Sequence, residues 1–231
     1  MTSGGTTSSL SQLRAPVRWW LRVLQSAAIA ALLLMISPGT TANRAVAAPS
    51  ANGAHVYMLR GILNVFSLGL DDIASKLESQ GIPVTVINYL GWSGLADDIA
   101  ADYRSGKVKT IIVVGHSSGA TYLPDLVGRL DKLGAPVRLA IGLDSVFRTS
   151  LSGRVGRYVN YYIGNGNGEP VARTKDLRGS LENVNVQSVP GVGHVTIEKN
   201  EIMQRKVIAD IDAVVFGGRP KQAAATQGAT R

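Results

Sequence analysis

A serine flanked by two glycines directly follows an apolar run near the middle of the chain. Residues 110–114 read Thr-Ile-Ile-Val-Val, and the next five residues place Ser117 between Gly115 and Gly119. A serine in this setting of strand, sharp turn and helix has its hydroxyl above the sheet edge, and so tight a turn needs flanking positions nearly free of side chains. The pattern predicts Ser117 as a nucleophile. The alternative is an ordinary strand-to-helix turn with two helix-capping serines.

A nucleophilic serine needs a base that takes its proton, so this turn predicts a histidine further along the chain. His194 is the only histidine after Ser117, and it lies just past the last apolar run in a glycine-rich loop. Such a loop can carry an imidazole back over the strand ends. We therefore predict His194 as the base, the alternative being a surface histidine. His55 and His116 are interpreted as structural.

The third expected residue is an acid that orients the imidazole and stabilises its charged form. Asp144 directly follows the apolar run 137–143, and ligands and catalytic groups gather at the carboxyl ends of strands in open α/β sheets. The chain order serine, aspartate, histidine is the one expected for this architecture. In the alternative, Asp144 caps a turn and the acid is Glu169 or Asp176.

An oxyanion that forms during attack on a carbonyl must be met by backbone donors. The N–H of Ser118, next to the nucleophile, is one candidate. The loop after the first strand supplies the other, and there we predict the N–H of Ile62, with Gly61 allowing the backbone to approach. The alternative is that Gly61 only turns the chain.

Strand-like and helical patterns alternate along the part of the chain that must position these residues. Nearly continuous apolar runs indicate strands buried on both faces. The runs cover residues 55–59, 84–88, 109–114, 137–143 and 184–189. Apolar residues at helical spacing separate most of them, and a last helical pattern follows residue 200. The alternation predicts an α/β fold with a mostly parallel sheet and helices packed on it.

The long interval 145–182 has no clear strand pattern. It holds Tyr161 and Tyr162 and a glycine-rich stretch at 164–168, which we interpret as a turn because no strand precedes it and no helix follows. Long connections in compact domains tend to be functional. We therefore predict that this interval forms a wall of the substrate site, with both tyrosines in contact with substrate.

The charge of the central part is almost balanced. The chain has a net charge of +8, but residues 1–48 and 217–231 hold bases and no acids, which leaves 17 bases and 16 acids in 49–216. This balance provides no basic stripe for nucleic acid. There is no cysteine, and the three histidines are far apart in sequence, so we predict no metal and no cofactor. Residues 49–216 form the predicted catalytic domain, and 217–231 a disordered tail.

The first 48 residues have the pattern of a targeting segment. Three arginines precede an apolar run over 27–36, and small residues follow a Ser-Pro-Gly break. This order predicts a signal peptide cleaved after Ala42 or Ala47, and so a periplasmic or secreted protein. The rival interpretation is an uncleaved anchor, which would then be the only membrane contact.

Over residues 55–216 the chain resembles the α/β-hydrolase superfamily, and within it the small lipases, esterases and thioesterases. The resemblance rests on three segments: Gly115-His116-Ser117-Ser118-Gly119, Leu143-Asp144-Ser145 and Gly193-His194. Where members often have His-Gly before the oxyanion loop, this chain has Arg60-Gly61. The resemblance implies a reduced, doubly wound sheet of about five strands in an order like 2-1-3-4-5.

The resemblance also implies hydrolysis of a carboxylic ester or thioester through an acyl-enzyme. The expected partner is a small-molecule substrate, and the absence of an obvious large lid favours small or medium acyl groups over emulsified triglyceride. The alternative is a non-catalytic binding protein that keeps the fold without turnover.

Overall fold

The computed structural model describes residues 51–62, 67–166 and 168–217. The predicted signal segment and all but the first residue of the predicted tail lie outside these ranges. The described elements are strands β1 (Ala54–Arg60), β2 (Val84–Asn88), β3 (Thr110–His116), β4 (Val137–Leu143), β5 (Ser150–Leu151), β6 (Arg154–Tyr162), β7 (Ala172–Arg173) and β8 (Arg178–Asn185), and helices α1 (Gly69–Glu78), α2 (Trp92–Arg104), α3 (Ser118–Lys132) and α4 (Glu201–Val215).

Six of the strands form one parallel sheet in the order β2-β1-β3-β4-β6-β8. In the centre of this sheet, Val113 on β3 pairs with Tyr57 on β1 and with Ala140 on β4. The predicted α/β fold with a parallel sheet and flanking helices is confirmed. The sheet has six strands instead of the expected five or so, and the predicted order continues by one more strand at its edge.

Helices cover both faces of the sheet because the strand side chains alternate between two cores. Met58 packs on the face of α1 and α4, and the next residue, Leu59, packs on the face of α2 and α3. The helices contribute apolar residues at the predicted helical spacing, such as Leu70, Ile73 and Leu77 on α1. Each fully buried aliphatic side chain of this kind contributes about 1.5–3 kcal/mol.

The interval 145–182 contains one complete strand of the sheet and the start of another, so its interpretation as a stretch without strands was wrong. It contains β6, which lies between β4 and β8 in the sheet. Arginines, a glycine and Asn160 interrupt the apolar pattern of β6. Asn160 is nevertheless buried, because its amide group donates to the carbonyl of Glu169 and to Oδ1 of Asn183.

The last strand also begins earlier than predicted, at Arg178, and it ends at Asn185. It is the exposed edge of the sheet and its sequence is mostly polar. The connections on either side of β6 hold the short strands β5 and β7, which pair with each other. Leu151 and Leu177 from these connections are buried against the core on the α2 and α3 face.

Among the described residues, no helix combines the length and apolar character needed to cross a membrane.

Candidate active site

Ser117 lies in the sharp turn between β3 and α3, with φ 58° and ψ −122°. This conformation is unusual for a non-glycine residue and is typical of a strained functional position. A Cβ at Gly115 would overlap the backbone of Gly119, and a Cβ at Gly119 would overlap the carbonyl of Leu59. The N–H of Ser117 donates to the carbonyl of Leu143 at 3.0 Å. Both glycines are therefore required for the turn, and β4 helps to hold it.

Ser117, His194 and Asp144 form one hydrogen-bonded chain. The distance from Ser117 Oγ to His194 Nε2 is 3.0 Å, and that from His194 Nδ1 to Asp144 Oδ2 is 2.6 Å. Because the carboxylate can only accept, Nδ1 carries the imidazole proton and Nε2 is free to accept one from the serine. The structure thus brings together the three residues predicted as nucleophile, base and acid.

Asp144 is fully buried at the end of β4 and, like Ser117, has a positive φ, of 50°. Its Oδ1 accepts a hydrogen bond of 2.9 Å from the N–H of Ile163. Its own N–H donates to the carbonyl of Tyr161. The backbone around the end of β6 therefore determines which carboxylate oxygen faces His194.

The two alternative acids lie elsewhere. Glu169 is ion-paired with Arg148 at 2.6 Å on the surface. Asp176 is exposed in the connection between β7 and β8. Of the three candidates, Asp144 is the one that the structure places against His194.

The loop after β1 passes directly over Ser117. A Cβ at Gly61 would lie 2.9 Å from the Cβ of Ser117 and 3.2 Å from its Oγ, so this position tolerates only glycine. Ile62 follows with an exposed side chain, and its backbone is next to the closest approach. On the other side, Ser118 begins α3, where N–H groups have no acceptor within the helix. Both predicted oxyanion donors therefore come from segments adjacent to Ser117.

The two tyrosines predicted to contact substrate do not join this group. Tyr161 is buried in the core on the α4 face, and its hydroxyl donates to Asp210 at 2.7 Å. Burial, followed by this hydrogen bond, raises the pKa of Tyr161. This position does not support a substrate contact for Tyr161. Tyr162 is half-buried at the carboxyl end of β6, and its contact with substrate stays a prediction.

Sequence reasoning did not identify two buried polar residues near the triad. Ser67 and Glu198 are fully buried, and both approach His116, the residue before Ser117. Burial is the main cause that lowers the pKa of His116 to about 4 and raises the pKa of Glu198. The low pKa of His116 and the raised pKa of Glu198 both favour the uncharged forms of this pair.

Gly168 is a further missed position, since a Cβ there would overlap Oδ1 of Asp144. The described residues contain no cluster of His, Asp and Glu that could hold a metal ion. The arrangement can perform proton transfer from a serine hydroxyl to a histidine.

Compared with protein-family models, the chain has no match, and compared with curated proteins it has no significant match. The α/β architecture of the chain is compatible with the α/β-hydrolase fold.

Proposed function

We propose that this protein is a serine hydrolase of the α/β-hydrolase type that cleaves a carboxylic ester or thioester. The observation that carries the proposal is the chain from Ser117 Oγ through His194 to Asp144, with distances of 3.0 Å and 2.6 Å, built on a strained strand-to-helix turn. Nucleophile and base within hydrogen-bond reach, with the base oriented by a third group, is the arrangement that activates a serine hydroxyl.

In the proposed reaction, Ser117 Oγ attacks the acyl carbonyl carbon while His194 Nε2 takes the hydroxyl proton. The N–H groups of Ser118 and Ile62 stabilise the negative charge on the carbonyl oxygen. His194 then gives its proton to the leaving alcohol or thiol, and the acyl group stays on Ser117. A water molecule, deprotonated by His194, attacks this acyl-enzyme and releases the carboxylic acid, with the proton returned to Ser117.

The large apolar side chains exposed in the described chain suggest an apolar acyl group. All of them lie in loops or in the first two helical turns that follow carboxyl ends of sheet strands, the edge that holds Ser117. They are Ile62, Leu68, Leu90, Tyr122, Phe147, Val195 and Ile202. Scattered single apolar residues are ordinary on a protein surface, whereas their concentration on the nucleophile's edge is typical of a binding site. We propose small or medium acyl esters and thioesters as substrates.

The direct test compares the wild-type protein with two adjacent serine variants. Wild-type protein should react with a fluorophosphonate probe and hydrolyse p-nitrophenyl or coenzyme A esters, with a chain-length series defining the acyl group. Ser117→Ala should abolish both activities and retain the fold, because it removes the nucleophile alone. Ser118→Ala should cost much less, because Ser118 acts through its backbone N–H.

Equal losses in the two variants would contradict the assignment of Ser117. A folded wild-type protein that reacts with no probe and cleaves no ester or thioester would favour the non-catalytic binding protein.

A further inference from the structure

A buried hydrogen-bonded chain connects the loop after β1 with the loop that carries His194. The N–H of Gly61 donates to Ser67 Oγ at 3.0 Å, and Ser67 Oγ lies 2.8 Å from His116 Nδ1. On the other side of the ring, His116 Nε2 lies 2.8 Å from the carbonyl oxygen of His194. Ser67 and His116 are 0% and 1% exposed. His116 is thus the bridge between two loops that flank the nucleophile.

The two backbone groups at the ends of this hydrogen-bonded chain, the N–H of Gly61 and the carbonyl of His194, determine the direction of every hydrogen bond between them. The carbonyl of His194 can only accept, so His116 Nε2 carries the proton and Nδ1 of the neutral ring is an acceptor. The Ser67 hydroxyl must then donate to Nδ1, and its oxygen accepts the N–H of Gly61. Each of these donors and acceptors is satisfied in this single arrangement.

The charged groups around His116 leave this arrangement intact. Glu198 Oε2 lies 3.5 Å from Nε2, and Glu198 Oε1 lies 3.4 Å from Nζ of Lys199. His194, Asp144 and Lys199 also act on His116 electrostatically. Burial is the largest effect and lowers the pKa of His116 to about 4, so the ring is neutral at neutral pH.

We propose that His116 and Ser67 are positioning residues. They hold the loop after β1 and the loop that carries His194 in their places beside Ser117. This inference rests on the proposed hydrolase function. His116 is the last residue of β3, so the sheet determines where its ring lies. Neither Gly61 nor His194 belongs to a strand of the sheet, and each is tied to that ring through its backbone.

The connection matters because both attachment points are adjacent to reacting groups. Gly61 precedes Ile62, whose N–H is the proposed oxyanion donor, and the His194 carbonyl belongs to the base itself. Catalytic groups must be held within about 0.5 Å of their productive geometry, and a displacement of about 1 Å can cost on the order of 100-fold in rate. Loss of one link should therefore lower turnover without a comparable effect on substrate binding.

Two amide variants of His116 test separately its hydrogen bond to Ser67 and its hydrogen bond to the carbonyl of His194. In His116→Gln, an amide N–H can occupy the position of Nε2 and still donate to His194, while the link to Ser67 is lost. In His116→Asn, an amide oxygen can occupy the position of Nδ1 and still accept from Ser67, while the link to His194 is lost. Ser67→Ala removes the first link independently, and Ser67→Thr restores the hydroxyl.

The experiment measures kcat and KM with p-nitrophenyl butyrate, the pH profile of kcat/KM, and the melting temperature of each variant. We expect Ser67→Ala and His116→Gln to lower kcat by about 10- to 100-fold, with KM nearly unchanged and the midpoint of the pH profile retained. Ser67→Thr should recover most of the rate. His116→Asn should shift the midpoint of the pH profile, because it loosens the loop of the base.

The proposal is overturned if Ser67→Ala lowers the melting temperature but keeps the wild-type kcat per folded molecule, since a merely structural role predicts that result. Ser67→Ala and Ser67→Thr decide the question alone if the His116 variants do not fold. An active wild-type protein with unaffected Ser67→Ala contradicts the positioning role only. A wild-type protein that neither reacts with the fluorophosphonate probe nor hydrolyses the ester contradicts the proposed function, and the positioning role with it.

Discussion

At the scale of single residues, Asp144 uses both of its carboxylate oxygens. Oδ1 accepts the N–H of Ile163 and Oδ2 faces Nδ1 of His194. The acid is therefore held by the backbone, and its two oxygens have different roles. A change from carboxylate to amide keeps the shape of the side chain while it reverses one of these interactions.

We expect Asp144→Asn to inactivate the protein without unfolding it. The amide oxygen should stay on the N–H of Ile163, which directs the NH₂ group toward His194 Nδ1. That nitrogen must then accept, so the ring proton moves to Nε2, where it faces the serine and blocks proton uptake. In serine proteases the same change costs on the order of 10⁴ in kcat, and a steady-state assay of ester hydrolysis checks it.

Glu169→Gln and Asp176→Asn are the matched controls, and both should cost little because Glu169 is ion-paired with Arg148 and Asp176 is exposed. An active Asp144→Asn together with a crippled Glu169→Gln or Asp176→Asn would move the acid to the connections around β7.

At the scale of elements, the connections around β6 position the acid. The segment that follows β6 supplies the N–H of Ile163 to Asp144 and brings the backbone of Gly168 against the same carboxyl group. The sheet determines where β4 ends, and this segment determines the orientation of the carboxylate of Asp144, the residue that follows β4. Packing in this segment is therefore coupled to the triad.

Gly168→Ala should impair turnover more than its distance in sequence from the triad suggests. The added methyl group overlaps Oδ1 of Asp144, so either the carboxylate or the segment must shift. A shift of about 1 Å predicts a loss of kcat on the order of 100-fold, and overpacking predicts a loss of about 1–3 kcal/mol of unfolding free energy. Ester hydrolysis and urea unfolding measure the two effects.

Gly166→Ala is the control, because a Cβ there would meet only ordinary neighbours at 3.4 Å or more. Equal effects of the two substitutions would show that the close approach to Asp144 is not the cause.

At the scale of the whole molecule, the buried neutral His116 couples stability to pH. Its pKa is lowered to about 4 in the folded protein, mainly by burial, from an ordinary value of 6.5. Between these values the unfolded chain binds more protons than the folded one, so stability rises with pH. The full contribution is present above the ordinary value and is lost as the pH falls toward 4.

We therefore expect acid to destabilise the wild-type protein more than His116→Gln. A difference of 2 to 3 pKa units corresponds to roughly 3 kcal/mol of additional loss in unfolding free energy between about pH 6.5 and pH 4. Urea unfolding at a series of pH values measures this loss for both proteins. Parallel curves for the two proteins would contradict the buried neutral state of His116.

Glu198→Gln serves as the opposite control. Burial raises the pKa of Glu198, so in the wild-type protein its contribution to stability is present at low pH and is lost as the pH rises. Removing this group should steepen the rise of stability with pH.

The sequence by itself determined the main candidate residues for chemistry, because each of them follows a local pattern. Ser117 is marked by an apolar strand and two glycines, Asp144 by the end of a second strand, and His194 by its place after the last one. Parallel strands bring their carboxyl ends to one edge, so the fold class and these three positions together predict a common location. Strands β1, β3 and β4 were also predictable, because burial on both faces makes their sequences nearly continuously apolar.

Only the tertiary structure decided what surrounds these residues, because the contacts join segments that carry no shared local signal. His194 and Asp144 are 50 positions apart, and His116 and Ser67 are 49 apart. Strand β6 was missed because the hydrogen bonds of its buried Asn160 come from elements elsewhere in the chain. The need for glycine at 168 and the burial of Glu198 likewise arise from long-range packing. A pattern of neighbouring residues records local backbone preference and burial, whereas such contacts depend on which distant segments the completed fold places together.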